Sequence, residues 1–195
     1  MCMATTMSKL MPPTDPKPNT RSAILDAAET VVARDGASRL TIDAVVVESG
    51  YSKGGVLYHY PNKTALLAAM VDRMVEGISV EIDGAREQAE IRSEPILPAI
   101  IAAMVQHRKP NTNVSSALLA ASAEQPELLD SARDYIEKIV ADAVTPAPDP
   151  ILGLIAFLAM DGLHFSDLLG LHYVSDEQRE AVQSRLINMM TEMYA

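Results

Sequence analysis

Apolar residues recur along most of the chain at helical spacing, and no run longer than a few residues alternates as a strand would. Ile24, Ala28, Val31 and Val32 lie at i, i+4, i+7 and i+8, which predicts a helix capped by Thr20, running to Asp35 and stopped by Gly36. A second, shorter helix starts at the N-cap Thr41, buries Ile42, Val45 and Val46, and ends at Gly50. Ser52 then caps a very short third helix. Asn62 caps a fourth, in which Leu66, Leu67, Met70, Val71, Met74, Val75, Ile78 and Ile82 recur over about five turns. Beyond Pro95 the pattern gives a helix to about Arg108, ended by Pro110, then one over Ser115 to Ala123 and one opened by Pro126 and running to about Val144. Pro146, Pro148 and Pro150 mark a linker or rigid turn. Two helices finish the chain: Ile151 to Leu171, apolar almost all round, and Asp176 to Tyr194, striped by Val182, Leu186, Met189, Met190 and Met193. The expected fold is all-α with about nine helices.

The segment from Thr41 to Lys63, TIDAVVVESGYSKGGVLYHYPNK, carries the most chemistry. Gly50 can take the positive φ that a sharp helix-to-helix turn needs, and Ser52 restarts the helix at once, so two short helices meet at a steep angle. Gly54 and Gly55 inside the second of them cost about 1 kcal/mol each relative to Ala, a cost that close approach of another surface would offset. Lys53, Tyr58, His59, Tyr60 and Lys63 surround them with cationic, aromatic and hydroxyl groups suited to phosphate oxygens and base edges. Taken singly, Tyr58 and Tyr60 read as half-buried aromatics, and Lys53 and Lys63 as solvated surface charges. The joint spacing of cap, turn, double glycine, aromatic cluster and lysine instead describes a helix-turn-helix whose second helix reads a major groove.

The run SKGGVLYHYPNKTALL, preceded by the capped helix from Thr41 and an amphipathic helix from about Arg21, resembles the amino-terminal DNA-binding domain of TetR-type bacterial transcriptional regulators, over about Thr20 to Leu67. The resemblance implies that Thr41, Tyr51, Ser52, Lys53, Gly54, Gly55, Tyr58, His59, Tyr60 and Lys63 contact double-stranded operator DNA, Tyr60 and Lys63 mainly through its backbone. Two positions depart from the family pattern: Val47 stands where a polar or basic residue is common, and Thr64 where an acidic residue usually opens the fourth helix. The expected division is a disordered arm over 1–19, a helix-turn-helix domain over 20–64 and a helical regulatory and dimerisation domain over 65–195.

Charge at first argues against a nucleic-acid binder, since the 195-residue chain has a formal net charge of −10. Residues 1–63 carry 7 Lys/Arg against 6 Asp/Glu, however, and residues 64–195 carry 9 against 20, so the acid lies in the second part. Such a protein binds non-specific DNA weakly and depends on a few placed contacts. Cys2 is the sole cysteine, which excludes an intramolecular disulfide and a thiolate cluster and fits a reducing cytoplasm. Residues 1–19 hold Pro12, Pro13, Pro16 and Pro18 and lack the apolar core of a secretory signal. The most apolar run, Ile151 to Met160, stops at Asp161, short of the roughly 20 residues a spanning helix needs, so no membrane residence is expected.

An all-round apolar helix must be covered on every side. Ile151 to Leu171 and the helix after it are therefore expected to pack against their copies in a two-fold homodimer, unless the former is simply the central helix of a monomer. The last two helices are also where TetR-like regulators dimerise. The sequence contains no GxSxG, glycine-rich phosphate loop or HExxH, so no enzyme, cofactor or metal is expected. The best rival is Asp161, His164 and His172 on one helix, which could meet a metal or run acid/base chemistry; core histidines and an interhelical hydrogen bond from Asp161 explain them more simply. By family analogy the second half would enclose an unknown small-molecule effector between the linking helix and the helices after Pro95, Pro126 and Pro150. Met104, His107, Met160, His164 and Phe165 would line that pocket, although Met104 and Met160 equally suit plain core filler. A DGLHFSDLLGL segment near the end also resembles a subgroup of these regulators. The function implied is a repressor that holds a palindromic operator and leaves it when ligand binds.

Overall fold

Side-chain caps fix where the first helices begin. In the computed structural model, which describes residues 19–106, 112–171 and 173–195 (only the backbone at 112 and 113), the α-helices are α1 Thr20–Asp35, α2 Ile42–Ser49, α3 Lys53–His59, α4 Lys63–Arg92, α5 Ile96–Gln106, α6 Thr112–Ser122, α7 Asp130–Ile139, α8 Pro150–Leu168 and α9 Asp176–Glu192. No strand occurs among the described residues. Of the arm expected over 1–19, residues 1–18, and with them Cys2, lie outside the described residues, as do His107, Arg108, Pro110 and His172.

The Thr41 hydroxyl accepts from the Ala44 N–H at 3.1 Å, the Ser52 hydroxyl from the Gly55 N–H at 3.2 Å, and the Asn62 amide oxygen from the Ala65 N–H at 2.8 Å. Gly50 ends α2 at φ 71°, the left-handed conformation that the turn requires. The cap of α1 falls one residue earlier than expected: Asn19, a strong capping residue itself, accepts from the Arg21 N–H at 3.1 Å and leaves Thr20 inside the helix. α4 runs 30 residues, ten beyond Ile82, and closes on Ser93 at φ 54°. Its last turns are polar, so hydrophobic spacing understated its length. The segment expected as one helix from Pro126 to Val144 is divided into a 3-10 turn at Pro126–Leu129, α7 and a π-helical turn at Val140–Val144.

Two cores share α4. In the first, Ile24, Ala28 and Val31 of α1 meet Val45, Val56, Leu66, Leu67, Met70 and Val71, and Val114, Leu118 and Leu128 from the second half of the chain close it. The second gathers Ile82, Leu97, Ile100, Ile101, Ile139, Phe157, Met160, Leu186 and Met190. α8 lies close against α5: a Cβ on Gly153 would stand 2.9 Å from Leu97 Cδ2, so a larger residue there would make the Leu97 side chain shift.

α8 differs from expectation in its apolar length. At 19 residues it is long and apolar enough, by length and composition alone, to match a membrane span, whereas the ten-residue run counted to Asp161 was too short. One face of it, including Gly153, Ala156, Phe157 and Met160, is buried in the helical body. Its other face is bare: Ile151, Leu154, Ile155, Leu158 and Phe165 are exposed. On α9 the inward stripe is Arg179, Gln183, Leu186 and Met190, while Val182, expected inside, is exposed. Arg179 turns inward because it is paired, donating to Asp167 and to the Leu163 carbonyl.

Candidate functional site

α3 is short enough to present most of its residues on one outer surface. Ser52, Lys53, Gly54 and Tyr58 are exposed, Tyr58 at 84%, and no atom lies within 4 Å of where a Gly54 Cβ would sit. Gly55 is tighter, 3.3 Å from the capping Ser52 oxygen, so its glycine protects the cap as well as the surface. Tyr58 and His59 stack edge to face at 5.1 Å. Thr41 is exposed at the head of α2, and Tyr51 packs partly against the first core. Lys53 pairs with Asp43 at 2.8 Å, but both groups are largely in water, so the pair is weak and a phosphate can displace it. Lys63 donates to the Ser38 carbonyl, in the turn between α1 and α2, at 3.2 Å.

Tyr60 faces the other way. It is 2% exposed, its hydroxyl donates to the Arg21 carbonyl at 3.1 Å, and the Arg21 guanidinium lies 5.8 Å above its ring. Its N–H is also used, bonding the Val56 carbonyl at 2.9 Å. The side chain expected at the DNA backbone is thus a strut between α3 and α1: Tyr60 follows the end of α3 at His59 and is held inward by the Arg21 carbonyl of α1. Val47 is 84% exposed on α2, and Thr64 donates to the Gln125 amide oxygen at 3.0 Å, tying the start of α4 to the turn after α6.

A cavity of about 280 Å³ lies in the second half, walled by α4, α5, α6, α7, α8 and α9. Met104, Met160, His164 and Phe165 all line it; His107, the fifth residue expected there, lies outside the described residues. Most of the wall is carbon, from residues such as Met74, Ile78, Leu118, Ile139 and Phe157. Of its polar groups, the sequence marks Asp161 only as a candidate for metal or acid/base chemistry, and does not mark Tyr135, Gln183 or the Asp167–Arg179 pair. Polar residues in the inward stripe of α9 were the available signal. Burial in this apolar setting pushes the Asp161 carboxyl above its ordinary range and the Tyr135 hydroxyl up to about 12, the latter helped by the charge of Asp83. Among the described residues Asp161 has no hydrogen-bond partner, so the interhelical bond expected of it is not made there. Among the described residues no group of three His, Cys, Asp or Glu could hold a metal, and the third member of the rival constellation, His172, lies outside them.

The cavity and the helix-turn-helix share a wall. Val71 and Leu118 line the cavity and also belong to the first core, under α1, α2 and α3. Arg73 reinforces the link, bonding Asp26, Glu29 and the Ser22 carbonyl of α1 from α4.

Comparison with known proteins agrees with this arrangement in both halves. Residues 24–70 match the model for bacterial regulatory proteins of the tetR family, and residues 94–191 match the tetracyclin repressor-like C-terminal domain. The chain is 24% identical over 169 residues to the HTH-type transcriptional regulator SrpR of Pseudomonas putida, covering 76% of this chain and 77% of that one. A TetR-family protein of Streptomyces coelicolor has the same fold, with a TM-score of 0.68 at 22% identity over 87% of this chain and 98% of its own. So does the multidrug binding protein EbrR in complex with malachite green, with a TM-score of 0.66 at 22% identity, covering 88% and 98%. With a capped reading head, a shared-wall cavity and family models matching on both sides of it, the chain belongs to the TetR family of bacterial transcriptional regulators.

Proposed function

We propose that this regulator is a homodimeric repressor: each α3 enters a major groove of a palindromic operator, and a small molecule in the cavity lowers operator affinity. The observation that carries the reading is the wall formed by Val71 and Leu118, because a guest that moves either residue also moves the core on which α1, α2 and α3 rest. Packed cores shift between discrete arrangements rather than deforming smoothly, so a small displacement at the cavity becomes a change in the spacing of two reading heads. An effect of five- to 150-fold on operator affinity requires only about 1 to 3 kcal/mol of coupling, and ligand and operator must then weaken each other equally.

Dimerisation follows from the bare face of α8. Ile151, Leu154, Ile155 and Leu158 form a continuous apolar strip, and exposed Gly162 beyond it lets a second helix approach closely. Pairing α8 and the neighbouring α9 with their copies covers this strip and sets half-sites about 34 to 36 Å apart, one helical turn of DNA. At the operator, Ser52, Lys53 and Tyr58 meet base edges, while Thr41, Tyr51, Gly54, Gly55, His59 and Lys63 position the head on phosphates. The protein works in the cytoplasm, where the DNA is. EbrR, solved with malachite green, ethidium and imidazole, is a precedent for small molecules in this architecture.

Selection of preferred sequences from random duplex DNA, followed by binding to the winner over a range of salt, tests the proposal. A palindromic winner bound by two chains is the expected result; no enrichment at low salt would overturn it.

A further inference from the structure

Resting on the reading of the cavity as the effector site, we infer that the effector is a positively charged amphiphile whose cationic centre is held by the carboxylate of Asp161. A cavity that needed only filling would be lined by carbon, because a buried polar group without a partner lowers stability. This one keeps three. Gln183 is 5% exposed and its amide nitrogen has no hydrogen-bond partner; the buried Tyr135 hydroxyl has none either; and Asp161 has no hydrogen bond or ion pair among the described residues. Helix α8 thus retains, next to Met160 and Phe157, a carboxylate to which its own fold gives no partner, whereas Asp167 further along the same helix is paired with Arg179.

The remaining charges decide the sign of the guest. Arg179 is spent on Asp167 and the Leu163 carbonyl, and Arg133 at the rim on Asp130 and the Pro126 carbonyl. Both guanidinium groups are therefore neutralised within the protein. His164, one turn along α8 from Asp161, has a partner of its own, and on the α4 side Asp83 and Arg86 both stand near Tyr135, Arg86 being paired with Asp142 at 3.1 Å. The cavity as a whole carries a carboxylate in excess, with α4 to α9 supplying the hydrocarbon. A cation with an apolar body compensates that charge, and an anion meets uncompensated repulsion. The Tyr135 hydroxyl and Gln183 amide are then free to donate to an ether, hydroxyl or carbonyl oxygen elsewhere on the same molecule.

Octyltrimethylammonium, 1-octanol and octanoate share one chain and differ in the charge of the head. Titration calorimetry of each into the full-length protein should find the ammonium at least about tenfold tighter than the alcohol, a difference of about 1.4 kcal/mol, with octanoate weakest. In Asp161→Asn, nearly the same shape without the charge, the ammonium should fall to within about threefold of octanol while octanol itself scarcely changes. Wild-type protein that prefers octanol or octanoate, or binds none of the three, overturns the inference, as does a cation preference that survives in Asp161→Asn. The wild-type series decides the matter even if the variant folds poorly. Operator binding is read separately: a protein that holds its selected operator but ignores the ammonium loses the cation site and remains a regulator, whereas an Asp161-dependent ammonium site in a protein without an operator keeps the site and removes its regulatory role.

Discussion

Leu158→Glu should convert the protein from dimer to monomer without unfolding it. Leu158 is 58% exposed in the single chain, near the centre of the bare α8 strip. Fully burying a leucine is worth about 1.5 to 3 kcal/mol, so covering the part still exposed contributes roughly 1 to 1.7 per copy. Two-fold symmetry doubles that loss. The substitution also places two carboxylates in an apolar contact, each costing at least about 1 to 3 kcal/mol of desolvation. The total, about 4 to 9 kcal/mol, weakens dimerisation by about a thousandfold or more, since every 1.4 kcal/mol is tenfold. The isolated chain, by contrast, changes stability by no more than about 0.5 kcal/mol, because the side chain was in water already. Sedimentation velocity at micromolar concentration reads the first effect, and circular dichroism during thermal unfolding checks the fold. Val80→Glu, on an equally exposed position of α4, is the control and should leave the dimer intact. A Leu158→Glu protein that still sediments as a dimer with wild-type affinity would refute the assignment of the interface to α8.

Three other outcomes are expected. Lys63→Ala should weaken binding to all DNA sequences alike and reduce the salt slope by about one unit, whereas Tyr58→Ala should change which sequence wins a selection; binding curves in varied salt separate the two. Leu118→Ala should cost about 2 to 5 kcal/mol in denaturant unfolding and also lower operator affinity, because this side chain, 1% exposed, supports both cavity and reading head; full operator affinity in the folded variant would contradict the shared wall. Asp161→Asn should stabilise the ligand-free protein at neutral pH. Burial raises the folded carboxyl above 3.8, so the folded state binds a proton that the unfolded chain releases, and stability falls as pH rises through that window. The gain should therefore vanish below about pH 4, where both states are protonated, and a pH series of melting temperatures in wild type and variant checks it.

The elements that were legible in the sequence are those set by neighbours in the chain. Thr41, Gly50, Ser52 and Asn62 do as local capping and turn rules require, because each of the three caps acts on a backbone N–H three residues on and Gly50 acts through its own φ. The inward turn of Tyr60 was not legible, since it depends on where the Arg21 carbonyl lies after α1 and α3 have packed. Nor was the inner face of α9: nothing in its apolar stripe marks Arg179 and Gln183 as inward until Asp167 and the cavity are placed opposite them. Met104, Met160, His164 and Phe165 were located by family analogy rather than by periodicity. Asp161 was noticed for chemistry it would share with two histidines, whereas the structure sets it against hydrocarbon.

The wall shared by Val71 and Leu118 also limits how such a regulator can acquire a new ligand. Substitutions on that side of the cavity alter the operator response along with the guest, so each must satisfy two selections at once. The walls from α7 and α9, with Tyr135, Ile136 and Gln183, lie outside the first core and can change with only the guest to accommodate. Divergence among descendants of this protein should therefore begin on α7 and α9, with one conserved control mechanism serving successive chemical signals.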